Sequence, residues 1–157
     1  MTRIEAAHRY DVPVEHAFAF ITNPANWWTF WPGYVRLQEG SDWGAVGDSA
    51  GLVTKLLRRE RALTMTITAF EPNRLVTYTS TQPGLPDASH ERHFEADGTG
   101  FTYRLVVEYE PRRGIAGLLD HTLLARGIRR AFRRTFEALE QELASPEDEL
   151  QAPRPAG

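Results

Sequence analysis

Alternation of apolar and polar residues recurs along most of this chain and predicts a sheet. Residues 3–10 place Ile4, His8 and Tyr10 on one face and Arg3 on the other, a period of two that is typical of a half-buried strand. Similar patterns predict further strands, at about 35–39, 48–58, 63–69, 75–81, 89–95 and 101–109. Because no helical segment separates the later strands, they are expected to form an antiparallel sheet.

Helical patterns are confined to two regions. Pro13 suits the first turn of a helix and Glu15 complements its dipole, which predicts a short helix over 13–22, and a second short helix is expected in the aromatic segment 26–34. Over 115–143 the period changes to that of a long helix. Its apolar stripe contains Leu118, His121, Ala125, Ile128, Phe132, Phe136, Leu139 and Leu143. The predicted class is α+β, a curved antiparallel sheet of about six to seven strands around the C-terminal helix.

Length and composition indicate one globular domain. The chain has 157 residues, of which 41% are hydrophobic and 25% charged, so a genuine core is expected. We predict a domain over residues 1–144 and a disordered tail over 145–157, which is rich in Pro, Glu and Ala. No internal repeat is visible.

Charge and cysteine content narrow the partners and the chemistry. The formal net charge of -3 disfavours nucleic acid and anionic membranes as partners. The chain has no cysteine, which excludes disulfides, thiolate metal ligands and a Cys nucleophile. Neither a signal peptide nor about 18 consecutive apolar residues can be found. We therefore expect a soluble, cytoplasmic protein without stable membrane insertion.

Three local motifs occur in a fixed order along the chain. They are VPVEHAF at 12–18, NPANW at 23–27 running on to WPG at 31–33, and EPNRLV at 71–76 together with HFEADGTG at 93–100. In this order they resemble the START-like superfamily, often labelled SRPBCC, of polyketide cyclases, aromatase/cyclases and lipid-transfer proteins. The resemblance covers about residues 3–143 and implies the helix-grip fold. It does not fix the function, because that superfamily includes enzymes, carriers and receptors.

A curved sheet wrapped around one helix is expected to leave an internal cavity. The helix fills only part of the concavity, whereas close packing needs complementary surfaces throughout. An alternative is that the same residues simply fill the interior. The predicted ligand-binding residues are Met65, Ile67, Tyr78, Phe94, Tyr103, Leu105, Val107, Ala125, Ile128 and Phe132.

A few polar side chains are predicted to face this space. His90 and Arg92 share the strand face of Phe94, His8 shares that of Tyr10, and His121 points from the long helix toward the sheet. An imidazole can move a proton near neutral pH, and an arginine can hold an enolate or a carboxylate. His90, Arg92 and His121 are therefore the candidate catalytic residues, although each also has an ordinary structural interpretation as a satisfied core group.

Other kinds of site find little support in the sequence. His90 and His93 are three residues apart on a predicted strand, hence on opposite faces, and no third ligand completes a metal set. No phosphate-binding glycine loop or nucleophile elbow is present. We expect neither a metal nor a cofactor. The arginines of the long helix, at 126, 129, 130, 133 and 134, are expected to form a solvated face.

Three functions stay open at this point. The leading one is binding, and possible transport, of a small hydrophobic molecule such as a lipid, polyketide or aromatic metabolite. The second is a cyclase/dehydratase-type enzyme that uses acid–base residues in the same cavity. The third is an interaction protein whose contact surface is the arginine face or the aromatic segment 27–34, which would also serve as an entrance flap or a homodimer contact.

Overall fold

The computed structural model describes residues 1–56, 58–111 and 115–144, without the side chains of residues 56 and 115–121. Seven strands are present among them. In chain order they are β1 (Thr2–Tyr10), β2 (Tyr34–Leu37), β3 (Ser49–Leu56), β4 (Arg59–Glu71), β5 (Leu75–Thr81), β6 (Ala88–Asp97) and β7 (Gly100–Tyr109). They form one sheet in the order β1-β7-β6-β5-β4-β3-β2, and every pairing is antiparallel.

The helices occupy the three predicted positions. Helix α1 spans Val14–Ile21, a 3-10 turn at Pro24–Asn26 leads into the single-turn helix α2 (Trp27–Phe30), and the long helix α3 spans Ile115–Ala144. The predicted α+β class with a helix-grip arrangement is confirmed. The predicted disordered tail, 145–157, lies outside the described residues.

The second half of α3 is held against the β1 end of the sheet. The Tyr10 hydroxyl donates a hydrogen bond of 2.9 Å to the Phe136 carbonyl oxygen, and the His8 and Phe136 rings stack with centroids 5.7 Å apart. Leu139 and Leu143 are buried beside them. Each such side chain stabilises the fold by about 2 kcal/mol. This contact fixes the direction in which the first half of α3 extends over the sheet.

A bulge in β4 changes the predicted alternation. The pairing of β4 with β5 shifts between Ile67 and Ala69, so both Thr68 and Ala69 lie opposite Thr77. Beyond the shift Phe70 turns to the inner face, where its ring meets Phe18 of α1 at 5.5 Å. The uninterrupted alternation predicted through Ala69 is therefore wrong at that residue, because one extra residue reverses the faces.

The outer face of the sheet is polar and carries a network of ion pairs. Arg104 donates to Glu95 and to Glu5, at 3.0 and 3.1 Å, and Arg3 donates to Glu5 at 3.2 Å and also to Glu108. These side chains are partly exposed, so each pair contributes little to stability. Because the outer face is polar and solvent-exposed, a buried site is expected on the inner face of the sheet.

Candidate functional site

A cavity of about 260 Å³ lies between the inner face of the sheet and the middle of α3, residues 124–135. It arises because α3 packs mainly against β1 and α2, while the strands farther along the sheet curve away. Most of its walls are aromatic or aliphatic. The lining includes Ile21, Trp27, Phe30, Trp31, Trp43, Leu63, Met65, Val76, Tyr78, Phe94, Tyr103, Val107, Leu124, Ile128 and Phe132.

Most of the predicted ligand-binding residues lie around this cavity. Those that line it are Met65, Tyr78, Phe94, Tyr103, Val107, Ile128 and Phe132. The other three, Ile67, Leu105 and Ala125, are buried but are not among the residues that line the cavity. Their place is in the packing behind the wall. A role in ligand binding is still a prediction for all ten.

The most polar part of the wall is formed by Arg92 and two tyrosines. An Arg92 Nη atom donates a hydrogen bond of 2.6 Å to the Tyr78 hydroxyl oxygen, and the Tyr103 hydroxyl lies close enough to interact with the guanidinium. The guanidinium carbon lies 5.8 Å from the centroid of the Trp31 ring and 5.6 Å from that of Tyr78, within the range of cation–π attraction. The Arg92 side chain points inward and lines the cavity, as the strand alternation predicted.

Arg92 keeps its charge in this enclosed position. Burial opposes the charge, but interactions with the Tyr78 and Tyr103 hydroxyls outweigh it, and the pKa of Arg92 lies above its ordinary value. Burial raises the pKa of Tyr103 despite the neighbouring cation, so that phenol stays neutral. This part of the wall therefore presents one fixed positive charge beside the neutral phenol of Tyr103.

His90 lies beside this group and is held on two sides. Its Nε2 is 2.8 Å from the Ser80 hydroxyl, and its ring stacks on Tyr78 with centroids 4.5 Å apart and planes 7° from parallel. Burial, together with repulsion from Arg92, lowers the pKa of His90 to about 3. The imidazole is consequently neutral and a weak base at physiological pH, suited to hydrogen bonding rather than to proton storage.

The other predicted histidines take different positions. His8 shares the inner face with Tyr10, as expected, but it pairs with Glu140 of α3 at 2.9 Å and does not line the cavity. The side chain of His121 lies outside the described residues, so its catalytic role is still a prediction. His93 points to the outer face, 3.7 Å from Glu91. Among the residues that the structure describes, no cluster of potential metal ligands is found.

Several wall residues were missed by the sequence interpretation. Ser80 is one alternation step from Tyr78 on β5, so the period of two was a usable signal for it. Trp43 comes from the β2–β3 loop, where no pattern predicts direction, and its ring packs edge-on against Tyr78 at 5.3 Å. Trp31 follows α2, in the segment that the sequence interpretation considered as a contact surface or an entrance flap. Lys55 lines the cavity from the exposed end of β3.

Comparison with known proteins identifies the family. The profile described as "Polyketide cyclase / dehydrase and lipid transport" matches residues 1–144, and the chain therefore belongs to that family. None of the curated proteins is recognisably similar to it in sequence. Within the described part of the chain, no helix has the length and apolar character needed to cross a membrane.

Solved structures agree with this fold at low sequence identity. The protein TTHA0849 from Thermus thermophilus superposes with a TM-score of 0.75 at 14% identity, with 89% of this chain and 95% of that chain covered. A conserved protein from Geobacillus kaustophilus gives 0.75 at 11% identity, with 91% and 95% covered. CalU16 from Micromonospora echinospora gives 0.63 at 19% identity, with 94% and 82% covered. At these identities the likeness concerns the fold alone.

Proposed function

We propose that this chain binds a small hydrophobic molecule, of aromatic or polyketide type, in the cavity beneath α3. The observation that carries the proposal is the cavity itself, about 260 Å³ with predominantly aromatic and aliphatic walls. Ligand pockets usually hold about 300 Å³ or more, so this one suits a compact ligand of one or two rings better than a long lipid.

The walls offer enough apolar surface for useful affinity. A ligand that buries about 200 Å² of apolar area gains roughly 5 kcal/mol at about 25 cal/mol per Å², from which the cost of association is subtracted. Met65 and Tyr103 are almost fully buried and are held by strand pairing, so little ordering is needed on binding. Such a preformed wall supports binding without any chemical step.

Cyclase or dehydratase activity is the second candidate, and one observation favours it. Arg92, Tyr78 and Tyr103 converge on one part of the wall, as an enolate-stabilising group would. An aldol-type cyclisation also needs a base that removes a proton from carbon. His90 is poorly suited to that task, because its pKa of about 3 makes it a weak base. Binding is therefore the better supported function.

A fluorescence titration tests the binding proposal. The probe is prodan, a neutral naphthalene dye with two fused rings whose emission shifts to the blue in apolar surroundings, and saturable binding by the purified chain is expected. Ile128→Trp places a large ring in the cavity, where Ile128 is part of the wall. Leu123→Trp is the matched control, since Leu123 lies on the same helix and is 67% exposed.

We expect Ile128→Trp to weaken dye binding at least tenfold and Leu123→Trp to leave it unchanged. Equal binding by both variants contradicts a site in this cavity. The enzyme candidate is tested separately with the N-acetylcysteamine thioester of a linear β-polyketide, followed by mass spectrometry. Cyclisation faster than in buffer that is lost in Arg92→Gln supports catalysis, and equal rates in buffer and with the protein count against it.

A further inference from the structure

We infer that the ligand of this cavity is a hydrophobic carboxylic acid, bound as its anion with the carboxylate against Arg92. The inference rests on the proposed function and names the class of molecule that the cavity accepts. Two features of the cavity wall point to an anion: its unbalanced positive charge and the hydrogen-bonding capacity around Arg92.

In the described part of the chain, Arg92 lacks the carboxylate partner that a largely buried arginine normally has. Its guanidinium has five N–H donors, and the hydrogen bond that it donates within the described part of the chain goes to the Tyr78 hydroxyl oxygen, with the Tyr103 hydroxyl nearby. Among the described residues, no carboxylate forms an ion pair with it. Buried charges are usually paired, because a charge removed from water without a counter-ion is costly.

Arginines on the outer face of the sheet differ from Arg92, because they do have carboxylate partners. There Arg104 contacts both Glu5 and Glu95, and Arg3 contacts Glu5 and Glu108. The chain as a whole carries a formal net charge of -3, so acidic residues are plentiful. Two arginines of the outer face are thus paired within the protein, whereas no carboxylate of the described residues forms an ion pair with Arg92.

The charges around the cavity all have one sign. Of the described residues that line it, only Arg92 and Lys55 are charged, and both are cations. Lys55 is exposed and lies at the rim, where a cation attracts an approaching anion. Arg92 is half-buried, and a charge-assisted hydrogen bond is stronger there than in open water because the dielectric constant is lower. An anionic ligand is the complement of this arrangement.

The surroundings of Arg92 also favour a planar, forked acceptor. The rings of Trp31 and Tyr78 lie 5.8 and 5.6 Å from the guanidinium carbon and restrict its orientation. The Tyr78 oxygen accepts from Arg92, which leaves the phenol proton to be donated to a ligand oxygen. A carboxylate accepts two parallel N–H bonds from an oriented guanidinium, whereas a neutral amide or alcohol cannot match the charge.

A pair of competitors that differ only in charge tests the inference. Displacement of prodan is measured with 2-naphthoate and with 2-naphthamide, which have the same ring system. We expect 2-naphthoate to compete about 10- to 100-fold more strongly, as a hydrogen bond to a charged group implies. Arg92→Met is expected to abolish this preference. Arg74→Gln, which changes an exposed arginine, is expected to retain it.

If the dye binds but 2-naphthoate competes no better than 2-naphthamide, or if neither competes, the inference is overturned while the binding function stands. If the preference persists in Arg92→Met, the carboxylate is not held by Arg92. Absence of dye binding to the wild-type chain removes the proposed function and the inference together. Arg92→Lys keeps the charge without the fork and serves if Arg92→Met fails to fold, with a preference reduced severalfold.

Discussion

The Arg92 guanidinium donates a hydrogen bond of 2.6 Å to the hydroxyl of Tyr78 on the neighbouring strand. Tyr78 lies directly opposite His90 in the β5–β6 ladder and diagonally from Arg92. One tyrosine therefore stacks on a neutral imidazole and also accepts from an enclosed cation. The stability of this arrangement can be tested residue by residue.

Tyr78→Phe is expected to lower the free energy of unfolding by about 2 kcal/mol, because it deprives a charged donor of an acceptor while keeping the ring. Urea unfolding monitored by circular dichroism measures the change. Tyr10→Phe is the matched control, since the Tyr10 hydroxyl bonds to a neutral carbonyl and its removal is expected to cost about 1 kcal/mol. A smaller loss for Tyr78→Phe than for Tyr10→Phe would contradict the proposed importance of the Arg92 contact.

Arg92→Met is expected to leave the free energy of unfolding within about 1 kcal/mol of the wild-type value, because Met removes the cost of burying a charge together with the hydrogen bond and ring contacts that offset it. The same unfolding experiment measures it. In the Arg92→Met background, Tyr78→Phe is expected to cost clearly less than in the wild type, since the charged donor is gone. A marked destabilisation by Arg92→Met would mean that the cation is already balanced within the protein.

Acid is expected to destabilise the fold through His90. The ordinary pKa of histidine, 6.5, falls to about 3 in the folded chain, so between these values the unfolded state binds one more proton and stability decreases as pH falls. Between about pH 7.5 and about pH 5 this amounts to about 2 kcal/mol. Urea unfolding at both pH values measures the change. The decrease in the free energy of unfolding from about pH 7.5 to about pH 5 should be about 2 kcal/mol smaller for His90→Gln than for the wild type. An identical pH dependence in the two proteins would refute the burial of a neutral His90.

The sequence was sufficient for the architecture because alternation survives wherever one face of a strand is buried. Strand β5 was predicted at its observed bounds, and α3 within one residue of them. The bulge at Thr68 was not predicted, since an extra residue in one strand becomes visible only when its pairing with the neighbouring strand is known. Local pattern thus predicts which segments are strands more reliably than it predicts every side chain's direction.

The candidate site was only partly predictable, for a related reason. Alternation placed Arg92 and His90 on the inner face, but the contact of Arg92 with Tyr78 depends on the register of two strands, and that with Trp31 on where α2 ends. The absence of a carboxylate near Arg92, among the residues that the structure describes, has no sequence signal at all, because acidic residues are abundant and their positions follow from the tertiary structure. The depressed pKa of His90 likewise depends on enclosure.

Gly33 connects the aromatic segment to the rim of the cavity, and its replacement is expected to be costly. Its φ is 72°, and an added Cβ would lie 2.5 Å from the Lys55 carbonyl oxygen. Gly33→Ala is therefore expected to cost about 3 kcal/mol in urea unfolding. Gly40→Ala, with φ of 78° but open space around the Cβ, is expected to cost only about 1 kcal/mol. Equal losses would show that the close approach at Lys55 is easily relieved.

Binding inside the cavity can be observed directly through the two methionines of the chain. Met65 is 0% exposed and lines the cavity, whereas Met1 is 82% exposed. With ¹³C-methyl methionine labelling, titration with 2-naphthoate is predicted to shift the Met65 methyl resonance strongly and to leave that of Met1 in place. A saturable interaction that leaves the Met65 resonance unchanged would contradict a ligand site beneath α3.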